Sequence, residues 1–573
     1  MKLHCELVVF LTFLFIHDSC ETVLSISVDD YGAYPNDNLD DTHAIQSAIN
    51  HARLNSVVTF GFGTYNLSSA VNIDNAQNLI ITGQGIDKTF LIGNVPTSIF
   101  SIQSGQNLTI SHLSIDFDPL PFTAGYVVDV THSYLDLQVV SPHQTDVNRS
   151  VGAILRYDPI AMRPAFGSKT YEIYQTLPQN STTTLVSPGI LRIPLNYATQ
   201  FLPGDAIVAR YGSQNHVIGG SDAEDLTIDS INIYTSWCMG CAITRAKRLT
   251  IRNYHVLRRD QRWLSTIADC LNFLHSEEYV HIYDSKCSSM GDDGLNIGDM
   301  IFSVQEILNS TSVIIQTFAW TDTLNVGIGI ELEFSHNQTP FTPYTKGKIL
   351  SIQDHDSKSR IFTFESSLNV NVNDYVVVSN VPSVIIQNLT IENNRARGII
   401  LQTRNATVTN SILNQTSGPA VLLQPSLYWY AGPGAINISL TKNLFINNNE
   451  GIASEKGVIS ISPYPTQLIP VVKNIQISSS TFRPGLYSQA LVQSFNGENI
   501  FFSQNYIETN NSSPLINICN TQTFTASNNT LVNTQTNITD YYIFDTIKPC
   551  SRNFSSLIDI PPSAFNSSFP PPV

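Results

Sequence analysis

A short segment of alternating apolar and polar residues recurs along most of this 573-residue chain, and asparagines mark its turns. Uninterrupted copies are 23 or 24 residues apart, as from Leu226 to Leu249 and from Ile500 to Phe524. Alternation with a period of two predicts strands with one apolar face, and stacked strands can bury that face together. We therefore predict an all-β fold, a right-handed parallel β-helix, because a β-sandwich would need turns about every 8–12 residues.

Two β-rich stretches, residues 118–225 and 298–381, interrupt the repeat. Near their ends, at residues 201–210 and 370–379, both carry a polar turn followed by a short apolar strand. Such a strand can close a small barrel, so we predict two inserted small β-barrel-like domains. The remaining predicted segments are a signal peptide (1–20), an N-terminal cap with the first coils (21–117), coils with the catalytic motifs (226–297), C-terminal coils (382–545) and a C-terminal tail (546–573).

The N-terminus is typical of a secretory signal peptide, because Lys2 precedes an apolar stretch, residues 7–16, that is too short to span a bilayer. Small residues at Ser19 and Cys20 predict cleavage near that point. Many Asn-X-Ser/Thr sequons, beginning with Asn66, agree with export. We expect a secreted glycoprotein without a membrane span.

The net charge is −16, and Lys and Arg together number only 30. Nucleic acids and anionic membranes attract clustered Lys and Arg, so neither partner is expected. Six cysteines follow the predicted cleavage site, which makes three disulfides possible, most plausibly including Cys519–Cys550. Cys238 and Cys241 have the spacing of a redox pair, but they lie among short strands, which does not favour a redox function.

Three aspartates form the strongest candidate site. Asp269 and Asp292 are 23 residues apart, the length of one coil, and Asp293 follows directly. Carboxylates on neighbouring coils lie about 5 Å apart, so one should act as an acid while another remains a base. Hydrolysis of a glycosidic bond needs one carboxyl group as an acid and another as a base. The alternatives are a tight turn with solvated acids and a calcium site, although calcium usually takes more oxygen ligands.

Residues 29–33 and 40–49 resemble the N-terminal cap of the pectin-lyase-like β-helix superfamily, in which an amphipathic helix covers the open end of the coils. Over nearly its whole length the chain resembles the family 110 glycoside hydrolases, exo-acting α-1,3-galactosidases built on a β-helix with inserted barrels. The matching motifs are IDFDPLPFT (115–123), RWLSTIAD (262–269), MGDDGLN (290–296) and NRARGII (394–400).

This resemblance implies that Asp269, Asp292 and Asp293 are the catalytic carboxylates. It also implies that Arg395 and Arg397 lie in or beside the pocket, and the two share one face by their spacing of two. The predicted substrate-binding residues are Arg395, Arg397, Asn296 and Trp429. The tryptophan stands between two tyrosines and can stack on a sugar or serve packing alone. No cofactor and no metal is expected.

Three positions depart from that family: Asn272 and Gly298 replace His, and Ala431 replaces Glu. A pocket altered at three polar positions can bind another sugar or lose turnover. A non-catalytic extracellular glycan-binding β-helix protein is therefore the alternative from another class. A polygalacturonase-like hydrolase is the alternative enzyme, but that pattern includes Gly-His-Gly and Arg-Ile-Lys tripeptides, which the chain lacks.

We predict an exo-acting glycoside hydrolase that removes terminal α-linked galactose, with an α-1,3 linkage, from oligosaccharides or glycoconjugates. Asp292 is assigned as general acid, by analogy with β-helix glycosidases, and Asp269 with Asp293 is assigned to hold the attacking water. Inversion of configuration requires carboxyl groups about 6.5–9.5 Å apart. A lateral offset must therefore add to the spacing between coils.

Overall fold

A computed structural model describes residues 23–540, except for 168–171, 175–180, 197, 213–214, 319–323, 452–455, 464–468, 510–515 and 534–537. The predicted signal peptide, the predicted C-terminal tail and Cys550 lie outside the described residues. Among the helices that are described, none is both long and apolar enough to cross a membrane.

The coils are preceded by an N-terminal cap. It consists of strand Leu24–Ser27, the 3-10 helix Val28–Tyr31 and the α-helix Thr42–His51. The α-helix lies on the first coil. The Gln46 side chain accepts a hydrogen bond from the backbone N–H of Asn72 at 2.7 Å and donates one to the backbone carbonyl of Asn72 at 2.9 Å. The buried apolar residues of this helix are Ile45, Ala48 and Ile49. The cap therefore closes the core as predicted.

Two sheets of mainly parallel strands enclose the apolar core. Leu108, Leu226, Leu249 and Val280 are direct neighbours on four successive strands, and all four are fully buried. A slip of one residue would turn these side chains outward, so their burial determines the register. The predicted parallel β-helix is confirmed.

We call these two sheets sheet 1 and sheet 2. In the described residues sheet 1 contains Leu24–Ser27, Leu54–Thr59, Gly63–Leu67, Gln77–Thr82, Thr89–Gly93, Gln106–Phe117, Glu224–Ile233, Lys247–Val256, Glu277–Tyr283, Lys286–Ser288, Ser383–Gln387, Thr390–Glu392, Arg404–Thr409, Ile412–Asn414, Ile436–Thr441, Leu444–Ile446, Val472–Ser478, Thr481–Arg483, Gly497–Ser503, Tyr506–Thr509, Gln522–Ser527, Thr530–Asn533 and Ile538–Asp540. Sheet 2 contains Val71–Asp74, Phe100–Gln103, Ile218–Ser221, Cys241–Thr244, Leu271–Leu274, Leu295–Met300, Ile399–Leu401, Val421–Leu423, Ala431–Gly432, Gly457–Ile461, Ala490–Phe495 and Ile516–Cys519.

Asparagine side chains form hydrogen-bonded ladders at the turns. Asn107 donates from Nδ2 to Oδ1 of Asn78 at 2.9 Å. In another ladder Asn437 donates to Asn405 at 3.0 Å, and Asn474 donates to Asn437 at 2.9 Å. All five have φ between 52° and 59°, a left-handed conformation that asparagine tolerates better than most residues. The ladders therefore join the turns of neighbouring coils.

Two insertions leave the coils. The first is an antiparallel sheet whose strand order ends at Arg163–Pro164 and Thr184–Ser187, whereas the second is a closed barrel. The strands described in the first are Phe122–Val130, Tyr134–Val139, Val151–Asp158, Arg163–Pro164, Glu172–Tyr174, Thr184–Ser187, Ile190–Pro194 and Ala206–Tyr211, with a 3-10 helix at Ala198–Gln200. The barrel strands are Phe302–Asn309, Ser312–Gln316, Glu331–Ser335, Pro343–Asp354, Ser359–Phe364 and Tyr375–Val378.

Each insertion is attached to the coils by specific side-chain contacts. In the first, the Tyr157 ring stacks on Trp263 at 5.0 Å and its hydroxyl donates to the Trp263 carbonyl at 2.5 Å. In the barrel, buried Glu333 accepts two hydrogen bonds from Arg404, at 2.8 and 2.6 Å. A bidentate charged pair fixes orientation as well as distance.

The cysteine count made three disulfides possible, but two of the six cysteines are unpaired. Cys270 and Cys287 are bonded, whereas Cys238 and Cys241 are free and buried. Burial raises the pKa of the Cys238 thiol to about 12, so this thiol is protonated and unreactive near neutral pH. The predicted Cys519–Cys550 disulfide includes a residue outside the described chain and stays a prediction.

Candidate active site

The turns that lead into sheet 2 bring the predicted site residues together. Asp269, Asp293 and Arg397 occupy equivalent positions on three successive coils, each two residues before a strand. The three strands are parallel neighbours in register, Leu271–Leu274, Leu295–Met300 and Ile399–Leu401. Because parallel register stacks equivalent residues, side chains far apart in the chain share one patch.

The three predicted acids converge. Asp269, Asp292 and Asp293 each offer a carboxylate oxygen within 4.8 Å of the other two. Asp269 and Asp293 are only 5% and 4% exposed, whereas Asp292 is partly exposed. The Asp293 N–H also donates to Oδ1 of Asp269, at 3.3 Å. Asp292 is therefore the acid that is most accessible to a ligand.

Two arginines lie against this cluster, as predicted. Arg395 Nη1 is 2.7 Å from Oδ1 of Asp292. Arg397 Nη2 is 3.0 Å from Oδ2 of Asp293, and the Arg397 N–H donates to the other oxygen at 2.7 Å. The three carboxylates carry three negative charges and the two guanidiniums carry two positive charges. The cluster is therefore neutral when it holds one proton. A divalent cation placed among these carboxylates would face both guanidiniums, so we assign no metal to them.

The two buried acids retain protons more readily than ordinary aspartates. Burial raises the pKa of Asp293 to about 7, although the Arg397 guanidinium opposes this shift. Burial, with the charges of Asp293 and Asp292, holds the pKa of Asp269 well above its usual range. The Arg395 guanidinium favours the ionised form of Asp292. Burial therefore favours the protonated forms of Asp269 and Asp293.

These shifts predict that Asp293 makes stability depend on pH. An unfolded aspartate has a pKa of about 3.9, so between pH 4 and 7 the folded protein binds the proton more tightly and its free energy of unfolding falls as pH rises. The Asp293→Asn variant should lose this component, at most about 1.4 kcal/mol per pH unit. Urea unfolding from pH 5 to 7 measures the difference from wild type. Asp129→Asn, a change at an exposed carboxyl, serves as control, and equal slopes for Asp293→Asn and wild type would contradict the prediction.

The departures from the resembled family have structural partners. Asn272 donates from Nδ2 to Oδ2 of Asp269 at 2.9 Å and lies beside Asn296 on the next strand. A Cβ at Gly298 would lie 2.6 Å from Oε1 of Gln402, so the glutamine occupies the space that a histidine side chain would need. Asn272 therefore contacts a predicted acid, whereas the space beside Gly298 is filled by Gln402. The sugar-contacting role of Asn296 stays a prediction.

The described contacts of Trp429 lie within its own turn, residues 426–430. The Trp429 ring packs edge-on against Tyr428 at 4.8 Å, and the backbone N–H of Trp429 donates to Ser426 Oγ at 3.4 Å. The following Tyr430 stacks on Phe318 beside the barrel, at 3.7 Å. This turn therefore adjoins the barrel, and the sugar-stacking role of Trp429 stays a prediction.

Arg210 is a residue of the site that the motifs did not reveal. It belongs to the first insertion, is 3% exposed, and donates from Nη1 to the carbonyls of Ile267 at 2.5 Å and Gly291 at 2.6 Å. These carbonyls lie just before Asp269 and Asp292. A Cβ at Gly291 would be 2.5 Å from the Ile267 carbonyl, so only glycine allows the approach. Arg210 thus joins the two acidic turns.

The chain is similar to several known proteins. Residues 25–116 match the family model described as rhamnogalacturonase A/epimerase, pectate lyase-like. An alpha-1,3-galactosidase A of Shewanella woodyi is 22% identical, covering 86% of this chain and 87% of the relative. An alpha-1,3-galactosidase B of Bacteroides thetaiotaomicron is 23% identical, covering 84% and 85%. A family 28 exopolygalacturonase structure from Yersinia enterocolitica aligns with a TM-score of 0.44 at 10% identity, covering 89% and 75%.

The coils, the acids and the curated relatives together define a glycoside hydrolase built on a parallel β-helix. Within that class, the predicted resemblance to the α-1,3-galactosidases is confirmed by relatives that align over most of both chains.

Proposed function

We propose that this protein is a secreted hydrolase that removes terminal α-1,3-linked galactose from oligosaccharides or glycoconjugates. The observation that carries the proposal is the cluster of Asp269, Asp292 and Asp293, whose oxygens lie within 4.8 Å of one another beside two guanidiniums. The curated relatives named alpha-1,3-galactosidase support the choice of sugar and linkage.

The proposed reaction uses the single proton of the cluster. Asp292, the most accessible acid, protonates the leaving oxygen after receiving the proton from the buried pair, across less than 4.8 Å. Asp269 and Asp293, then ionised, hold a water molecule whose oxygen bonds to the anomeric carbon as the glycosidic bond breaks. The proton released by that water returns to the pair, so the cluster ends with one proton, as it began.

The spacing makes the stereochemical outcome informative. The nearest oxygens are closer than the roughly 6.5–9.5 Å between carboxyl groups of inverting enzymes and approach the 5–5.5 Å of retaining ones. Inversion is proposed nevertheless, because Asp269 and Asp293 are 5% and 4% exposed. Acids this deep can hold a water more readily than they can bond covalently to a sugar carbon.

The test is incubation of the purified protein with oligosaccharides that end in α-1,3-, α-1,4-, α-1,6- or β-linked galactose. We expect release of galactose from the α-1,3 substrate first, and NMR at early times should show the β-anomer if configuration inverts. Release of the α-anomer would refute inversion while leaving hydrolysis intact. Asp292→Asn protein is the control for contaminating activity.

A non-catalytic glycan-binding protein is the second candidate. It is favoured by the three departures at Asn272, Gly298 and Ala431 and by the hydrogen bond from Asn272 to Asp269, which occupies a lone pair of a proposed base. Calorimetric binding of the same oligosaccharides without release of galactose would select this candidate.

A further inference from the structure

A polar cavity lies away from the acidic cluster. Its volume is about 480 Å³, within the range of small-ligand sites. It opens between the first coils, the first insertion and the loop that leads to Asp269. Its walls include Phe90, Ile92, Asp116, Gln144, Arg259 and Arg262.

This cavity is on the same edge of the β-helix as the acids. Thr235, one coil after Asp116, donates to its carboxylate at 2.8 Å. On the next coil Thr266 forms a parallel bridge with Ser236, and it accepts a hydrogen bond at 2.8 Å from the N–H of Gly291 in the acidic turn. Three coils at about 4.8 Å each place the cavity roughly 15 Å from that turn. A glycan of several sugars can extend over this distance.

The polar groups of the cavity are held in place. Asp116 is 2% exposed and accepts hydrogen bonds from Arg259 at 3.1 Å and Arg262 at 2.7 Å. Each arginine uses one nitrogen on this carboxylate, and a guanidinium has five N–H donors in a rigid fork. Both arginines line the cavity, so donors that are not used on Asp116 can serve a ligand.

The balance of charge selects the ligand. Arg259 and Arg262 face three carboxylates in the lining, those of Asp116, Asp118 and Asp260, so an acidic sugar would meet net negative charge. A neutral sugar needs both donors and acceptors for its hydroxyls, and both are present.

We propose that this cavity binds a neutral sugar unit of the glycan, on the leaving-group side of the scissile bond. This inference rests on the proposed function and adds a distal subsite to it. Apolar side chains in the lining, among them Ile92 and Leu120, suit the C–H faces of such a sugar.

The test compares substrates of two and four sugars that end in α-1,3-galactose. In Arg259→Ala the ratio of kcat/KM for the longer to the shorter substrate should fall about tenfold, the effect of losing one hydrogen bond to a charged group. Gln144→Trp, which fills the cavity without removing a buried charge, should lower the same ratio. Arg252→Ala removes an exposed arginine elsewhere on the coils and should leave the ratio unchanged.

The outcomes separate this inference from the proposed function. If the wild type cleaves both substrates and neither variant changes the ratio, the distal subsite is refuted and the hydrolase stands. If the wild type cleaves neither substrate, binding of the trisaccharide that lacks galactose is measured by saturation-transfer NMR. Loss of that binding in Gln144→Trp supports the cavity even then, whereas binding equal to wild type refutes it.

Discussion

Replacing Asp292 with asparagine is expected to lower turnover of an α-1,3-linked galactosyl oligosaccharide by about 10²–10⁴-fold, the usual contribution of a general acid. Asparagine keeps the shape of the side chain, and its carbonyl can still accept the hydrogen bond from Arg395. Folding and sugar binding should therefore persist. The loss should be much smaller for a nitrophenyl galactoside, because nitrophenolate departs without protonation. Measuring kcat on both substrates checks the prediction.

The neighbouring acids supply the contrast. Asp269→Asn and Asp293→Asn should impair both substrates to a similar degree, because water must be activated whichever group leaves. Asp129→Asn, at an exposed position, should leave both rates unchanged. Near-normal turnover of the oligosaccharide by Asp292→Asn would show that the acid is misassigned. If Asp293→Asn instead lost much more turnover on the oligosaccharide than on the nitrophenyl galactoside, Asp293 would be the general acid.

Arg210→Met carries the second large expectation. It leaves the buried carbonyls of Ile267 and Gly291 without their donor, at about 1–3 kcal/mol for each, so the free energy of unfolding should fall by about 2–6 kcal/mol. Displacement of the acidic turns by even 1 Å can cost about 10²-fold in rate. We expect kcat to fall by about 10–100-fold with KM little changed, because Arg210 donates to the backbone of the acidic turns.

The pH profile separates positioning from stability alone. Arg210 is a positive charge beside the acidic turns, and its removal should raise the pKa of the acids, so the alkaline limb of kcat/KM should move to higher pH. Arg210→Lys restores the charge and should restore that limb. Arg483→Met, at an exposed ion pair with Glu508, is the control. Lower stability with an unchanged kcat and pH profile would reduce Arg210 to a structural residue.

The repeat was sufficient to predict where the acids meet. A separation of 23 residues is close to one coil, so the repeat brings the turn with Asp292 and Asp293 beside Asp269. The observed register pairs Leu271 with Leu295, 24 residues further on, so Asp293 is the acid that stacks directly on Asp269. The resemblance to the family 110 glycoside hydrolases, and not the repeat, placed Arg395 and Arg397 beside the acids, where the structure has them. Alternation likewise identified the inward residues of the coils, because only one register buries them.

The repeat could not predict the contacts made by the first insertion and by the loop that carries Arg259 and Arg262. Arg210 is 57 and 81 residues from its two carbonyl partners, and Asp116 is 143 and 146 residues from its arginines. These pairs depend on how the insertion and the long loop pack, as in the stacking of Tyr157 on Trp263, and no period in the sequence encodes that packing. Cys270–Cys287 was missed because the choice among pairings depends on side-chain direction inside the coils.

The asparagine ladders change what the sequons of this chain signify. Asn107, Asn405 and Asn437 each begin an Asn-X-Ser/Thr sequence and each belongs to a ladder. In these coils the asparagine makes the turn, the middle residue points into the core and the hydroxyl residue returns to the surface. The residue pattern that forms these turns is therefore itself a glycosylation sequon. Saccharides on Asn405 and Asn437 would start about 4.8 Å apart, too close for two branched chains to be accommodated easily. A sequon within a ladder is therefore no evidence of a glycan, and occupancy must be established one asparagine at a time.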